Sequence, residues 1–196
     1  SMRLRRLLLP FLLLITPAHA QMEISVKGDV VTMKGMVDHE ACDLLWFMLR
    51  RVPTVKTIAL SSRGGYMQAG RCIGSMVRDY KLSTVVLDHC MVGCAAIFLG
   101  GVERSFEGPK STLVLQGSFF VRSKERALDP VQQAIDREWY PLMVPQIDRK
   151  LMEQWITLPH QFQFIRFYQD RAEICEHRNC KPLPGVSAKS AGLTTR

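Results

Sequence analysis

Three consecutive pieces decide how this chain is read: LSSRGGY (60–66), GRCIGSMVRDY (70–80) and STVVLDHCMVGCAAIFLGG (83–101). The first is a β-run that ends in Ser61-Ser62-Arg63-Gly64-Gly65. A helical run from Tyr66 to Tyr80 follows, then a second β-run from Ser83 to Asp88. The chain next turns sharply through His89-Cys90-Met91-Val92-Gly93-Cys94 into an apolar helix that stops at Gly100-Gly101, and a third β-run spans Thr112 to Gln116. Strand, glycine pair, helix, strand and elbow into another helix is the layout of a site built on main-chain N–H groups. Gly64 and Gly65 can take positive φ and let the backbone approach a ligand, and each helix behind a turn offers unpaired donors and the positive end of a dipole. Such turns can hold an oxyanion, with Gly64, Gly65 and Gly93 as the expected donors.

Working outward, residues 22 to 37 alternate apolar and polar around Lys27-Gly28-Asp29, which predicts an N-terminal β-hairpin. Asp38 is placed to cap a helix carrying Ala41, Leu44, Leu45 and Met48 at helical spacing, with Arg50 and Arg51 near its C-terminal end and Pro53 as its stop. Residues 55 to 60 then feed the glycine turn. These successive β-α-β units predict an α/β fold with a parallel sheet and right-handed crossovers. From Asp129 to Leu158 the period is helical, with Asp129-Pro130 as cap and first-turn proline and with Pro141 and Pro145 as breaks or kinks. Ile135, Trp139, Leu142, Val144, Ile147, Leu151 and Trp155 are expected to pack on the sheet, the alternative being a subunit contact. Residues 160 to 174 are rich in aromatics. Residues 181 to 196 lack apolar periodicity and read as a flexible tail, leaving 21 to 180 as one domain.

The first twenty residues have a different character. Arg3, Arg5 and Arg6 precede the apolar run Leu7 to Ile15, and Ala18-His19-Ala20 has the small-x-small pattern of a signal-peptidase site. The run is too short to span a bilayer, which needs about 20 residues. The expectation is therefore a signal peptide over 1–20, a periplasmic or secreted protein starting at Gln21, and no stable membrane insertion afterwards. Losing three arginines lowers the formal net charge from +8 to +5. The remaining excess is spread along the chain with no aromatic-interleaved basic stripe, which argues against nucleic acid binding.

An even count of six cysteines in an exported chain argues for disulfides. Cys175 and Cys180 bracket a short polar turn and form the best pair. Cys42 and Cys72 lie on apolar helical faces, where free buried thiols are as good a reading, and Cys90 and Cys94 are either bonded or buried. The five histidines are scattered without ligand spacing, so neither a metal nor a cofactor is expected.

The order of SSRGG, GRCIGSMVRDY and the 83–101 elbow resembles the Clp-type serine peptidase proteolytic subunit of the crotonase-like superfamily, especially its secreted bacterial relatives. Those relatives carry a serine-proline-glycine-glycine turn, a cysteine-x-serine-alanine-cysteine elbow and a histidine about two dozen residues later. The resemblance covers about residues 55 to 117. It implies that Cys90 and Cys94 flank the nucleophile position, which holds Val92, that Gln116 stands where the histidine base belongs, and that Arg63 replaces the proline of the turn. Valine cannot attack, and glutamine cannot accept a proton near neutral pH. The leading expectation is thus an inactive, exported Clp-protease-like domain that binds a peptide or protein partner, with Arg63 beside the glycine pair and with homo-oligomerisation left open. The alternative is an active hydrolase with a displaced nucleophile: Ser118, for which the sequence supplies no base, or a thiol of Cys90 or Cys94 beside His89. Crotonase-like chemistry on a coenzyme A thioester is the third class, disfavoured because such substrates are intracellular.

Overall fold

The computed structural model describes residues 21–120 and 126–196. The proposed signal segment therefore lies outside the described residues, and among these no helix is long and apolar enough to cross a membrane. The hairpin expected near the N-terminus is β1 (Glu23–Lys27) and β2 (Val30–Lys34), paired antiparallel. Helix α1 (Glu40–Arg51) follows, with the Asp38 carboxylate accepting the Ala41 N–H at 2.8 Å. Then come β3 (Thr57–Ser62), α2 (Met67–Asp79), β4 (Ser83–Met91), α3 (Gly93–Gly100), β5 (Arg104–Phe106) and β6 (Thr112–Leu115). Strands β2, β3, β4 and β6 lie parallel and in that order, with β5 also pairing to β4. Ile58, Leu60 and Val86 are fully buried in the middle of this sheet, as parallel strands covered on both faces must be. The mixed α/β architecture and the parallel central sheet agree with the sequence expectation.

Helices α2 and α3 pack against each other at backbone distance. A Cβ on Gly70 would stand 2.1 Å from the Gly93 carbonyl oxygen, one on Gly74 2.4 Å from that of Ala96, and one on Gly100 2.0 Å from that of Gly74. Glycine at these positions lets the elbow helix sit directly on the helix that follows the glycine turn. Cys42 and Cys72 are bonded between α1 and α2 with Cα atoms 6.1 Å apart, so the free-thiol reading gives way to a disulfide that staples the pair.

Beyond β6 the structure departs from expectation in three ways. First, although the helical region divides near Pro145 as expected, into α4 (Pro130–Met143) and α5 (Arg149–Ile156), it does not break at Pro141, which is accommodated in the last turn of α4. Trp139, Val144, Ile147, Leu151 and Trp155 are buried as expected, and Trp155 meets Tyr140 and Phe167 edge-on. Ile135 and Leu142 are exposed, and with Val131 they form an apolar stripe on the outer face of α4. Second, the aromatic segment becomes an antiparallel meander, β7 (Gln163–Phe167), β8 (Ala172–Glu176) and β9 (Asn179–Pro182), which extends the sheet from β6. Cys175 and Cys180 face each other across β8 and β9 and are bonded.

Third, residues 181–196 are not a flexible tail. Ala188, Ala191 and Leu193 are buried, and the segment returns to the sheet through main-chain bonds that require no apolar period: Leu183 N–H to the Ala172 carbonyl (2.9 Å), Ala188 N–H to Tyr168 (2.9 Å) and Thr195 N–H to Arg104 (2.9 Å). The Arg104 side chain clamps it further, donating to the carbonyls of Leu193 (2.7 Å) and Gly192 (3.3 Å). Burial, with Arg78 nearby, lowers the Arg104 guanidinium pKa to about 10.

Candidate oxyanion and peptide site

The glycine turn is held by its neighbours on both sides. Ser62 Oγ accepts the Gly64 N–H at 3.2 Å, Val37 N–H donates to the Gly64 carbonyl at 2.8 Å, and Tyr66 N–H returns to the Val37 carbonyl at 3.0 Å. Gly64 and Gly65 have φ of +131° and +134°, and a Cβ on Gly65 would lie 2.2 Å from the Val37 oxygen. Only glycine fits there.

The elbow begins later than the sequence suggests. β4 continues to Met91, so His89 and Cys90 are strand residues, and the turn is made by Val92 alone, with φ +52° and ψ −107°. A β-branched residue at positive φ is a conformational outlier, and a strained strand-to-helix elbow is the geometry that lifts a nucleophile clear of a sheet. Val92 N–H donates to the Val114 carbonyl at 3.1 Å, and its own carbonyl accepts from Ala96 at 3.2 Å. Cys90 and Cys94, one on each side, are bonded to each other and fully buried, so neither offers a thiol to the site. A Cβ built on Gly64 would lie 3.9 Å from Val92 Cβ, and one on Gly93 would lie 2.8 Å from the Tyr66 oxygen, so glycine turn and elbow touch. Among the described residues, the N–H groups of Gly65 and Gly93 make no hydrogen bond.

Gly65 and Val92 open into a cavity of about 730 Å³, whereas Gly93 is buried and lies outside its lining. Val92, Gln116 and Ser118 line the cavity together, as does Gly65, so residues of the glycine turn, the elbow and the end of β6 converge in space. Its walls include Tyr66, Phe119, Phe120 and Phe162, with Gln132 and Gln161 as further polar groups. Among the described residues, no histidine lines it. His39 stacks on Tyr66, with ring centroids 4.4 Å apart, and His89 pairs with Asp88 on β4 at 3.3 Å. Arg63 is exposed and lies outside the lining, as does Gly64.

Ser118 does have a polar partner, one that sequence reading missed. Its Oγ donates to Asp136 Oδ2 at 2.7 Å, Asp136 Oδ1 accepts from Arg71 Nη1 at 2.9 Å, and Arg71 Nη2 donates to Gln132 Oε1. Burial pushes the Asp136 carboxyl above its ordinary range, while Ser118 and Arg71 pull it back. A carboxylate already paired to arginine is a poor base for a serine hydroxyl. The nearest sequence signal was the acid at Asp136 within a helix otherwise read for its apolar stripe.

A second, smaller cavity of about 380 Å³ lies between 170–173 and 182–187 and shares no residue with this site. Glu173, Cys175 and Cys180 are near enough to share an ion, but the disulfide takes both sulfurs and Arg166 holds Glu173 at 2.9 Å.

No protein-family model and no curated relative matches the sequence. Solved structures do. A mutant of the 1510-N membrane-bound stomatin-specific protease aligns with TM-score 0.57 at 13% identity, covering 84% of this chain and 75% of that one. ClpP1 from Listeria monocytogenes aligns with TM-score 0.57 at 14% identity, covering 85% and 89%. A putative enoyl-CoA hydratase from Streptomyces avermitilis aligns with TM-score 0.53 at 11% identity, covering 91% and 68%. At such identities the likeness is one of fold, and the fold of this chain is the one shared by ClpP-like proteases and crotonase-like structures.

Proposed function

We propose that this Clp-protease-like domain is an exported binding module with a lapsed proteolytic site. It holds an extended peptide or a protein segment in the cavity without cleaving it. The observation that carries the reading is Val92, which occupies the strained elbow beside two unbonded N–H groups and has no group to attack with. Gln116, at the expected base position, shares the cavity and cannot take up a proton. The Phe119 edge supports a peptide as occupant. Phe120 N–H donates to Ala127 at 3.0 Å and Asp129 N–H to Ser118 at 2.9 Å, which turns the main-chain N–H and C=O of Phe119 to the opposite side, where an added strand would pair. Three bonded cysteine pairs agree with an oxidising compartment, and the exposed Val131, Ile135 and Leu142 favour self-association as well.

The test treats oxidised protein spanning 21–196 with a fluorophosphonate probe and a thiol-directed probe, and assays peptide and ester panels. Loss of triad groups leaves rates lower by a factor of order 10⁴ to 10⁶, so the expected result is no labelling and no turnover. Fluorophosphonate labelling should appear in Val92→Ser combined with Gln116→His. Labelling of the unaltered protein at Ser118 that tracks turnover and disappears in Ser118→Ala would replace this reading with the displaced-nucleophile hydrolase.

A further inference from the structure

Gln132 and Ser118 stand in the cavity wall with one hydrogen-bonding role each still to offer. Arginine has only donors, so the Gln132 atom that meets Arg71 Nη2 is the amide oxygen, and the orientation of that side chain follows from chemistry. Its NH₂ group is left as a donor. Ser118 is the mirror case. An ionised carboxylate only accepts, so the proton in the 2.7 Å contact with Asp136 belongs to Ser118, whose lone pairs remain free. Arg71, Asp136 and Ser118 are 8%, 0% and 7% exposed, so bulk water cannot readily rearrange the set. Gln132 and Asp136 are four residues apart on α4 and share one face, the face turned to Arg71 of α2.

We propose that the buried Arg71–Asp136 pair presets Gln132 as a donor and Ser118 as an acceptor, and that together they read a single residue of the bound peptide. In an extended chain the N–H and C=O of one residue point to the same side. Gln132 Nε2 donates to that carbonyl and Ser118 Oγ accepts from that N–H. The inference rests on the peptide-binding reading above and adds a specificity to it: the residue read at this point must carry an N–H, so proline is refused there. Arg71 and Asp136 act as positioning residues, since they reach the peptide only through Gln132 and Ser118.

The experiment measures binding by fluorescence anisotropy with a blocked, fluorescein-labelled alanine hexapeptide that carries one phenylalanine anchor. A parallel set replaces each residue in turn by its α-hydroxy acid, which removes one N–H and keeps the carbonyl. In the unaltered protein one position should lose about tenfold in affinity, the size of one hydrogen bond left unmade. In Ser118→Ala that same position should lose less than about twofold. Gln132→Glu keeps an acceptor for Arg71 and deletes the donor, so it tests the other half without disturbing the buried pair. It should bind the parent peptide about tenfold more weakly while the hydroxy-acid penalty persists. Parent binding with no sensitive position, or a penalty unchanged in Ser118→Ala, would overturn the inference and leave peptide binding standing. Unchanged affinity in Gln132→Glu would overturn it equally. No binding of the parent peptide by the unaltered protein would remove both readings.

Discussion

Val92 holds a backbone conformation that costs a non-glycine residue about 1–3 kcal/mol, and its side chain is only half-buried, so packing returns little of that cost. Val92→Gly should therefore raise stability by about 1 kcal/mol, after the added chain entropy of glycine is subtracted. Urea unfolding measures this, and a loss of stability would show that the valine is packed rather than strained. Asp136 is the other residue with a stated energetic direction. Its folded pKa is raised, so only in the pH interval between the unfolded and folded pKa values does the native state hold a proton that the unfolded state has released. Above that interval the carboxyl is the ionised partner of Arg71. Stability from this group is complete below the ordinary carboxylate pKa near 4 and is lost as pH rises through the folded value. Guanidinium melts between pH 3.5 and 7 should show this descending component in the unaltered protein and its absence in Asp136→Asn. Parallel profiles for the two would refute the assignment.

At the scale of elements, the site depends on how closely α3 lies on α2. The Gly70 contact touches the Gly93 carbonyl, directly behind the elbow, and a methyl group there meets the Gly93 backbone. Gly70→Ala should destabilise by about 3 kcal/mol through overpacking, because the helices must separate to admit the methyl group. Gly108→Ala, with no atom within 4 Å of the added Cβ, serves as the control and should change stability by less than about 0.5 kcal/mol. Thermal melts of the two variants decide the point, and equal melting temperatures would mean that the helices are not in backbone contact. Arg78 supports the same pair from the far end, donating to the carbonyls of Leu99, Gly100 and Gly101 at the C-terminus of α3 and to that of Met143.

Across the whole molecule, the segment 181–196 is anchored in the core by Ala188, Ala191 and Leu193. Leu193 is fully buried and its carbonyl holds Arg104, so Leu193→Ala should cost about 2–4 kcal/mol in denaturant unfolding. A detached tail would show no change. Three disulfides distribute their restraint over the molecule: one between α1 and α2, one across the elbow and one at the outer edge of the meander. The one at the elbow ties the end of β4 to the first turn of α3 on either side of Val92. The two sides of the cavity also come from distant parts of the chain, with Val92 at the elbow after β4 and Gln132 on a helix forty residues later.

Local sequence determined the parallel half of the fold, because the 3.6 and 2 periods around 22–117 and the glycines that end each run record which face every element buries. The Gly64-Gly65 turn and the break before Gly93 were legible for the same reason: a positive φ or a backbone contact leaves glycine as its mark. Only the tertiary structure decided the rest. The 181–196 segment is held by main-chain bonds and by carbonyls gathered around Arg104, and such contacts leave no periodic trace in side-chain type. The Arg71–Asp136–Ser118–Gln132 set was invisible for a different reason. Its members are spaced by 4 to 65 residues, each is unremarkable where it stands, and their roles arise from burial and mutual pairing that folding alone creates.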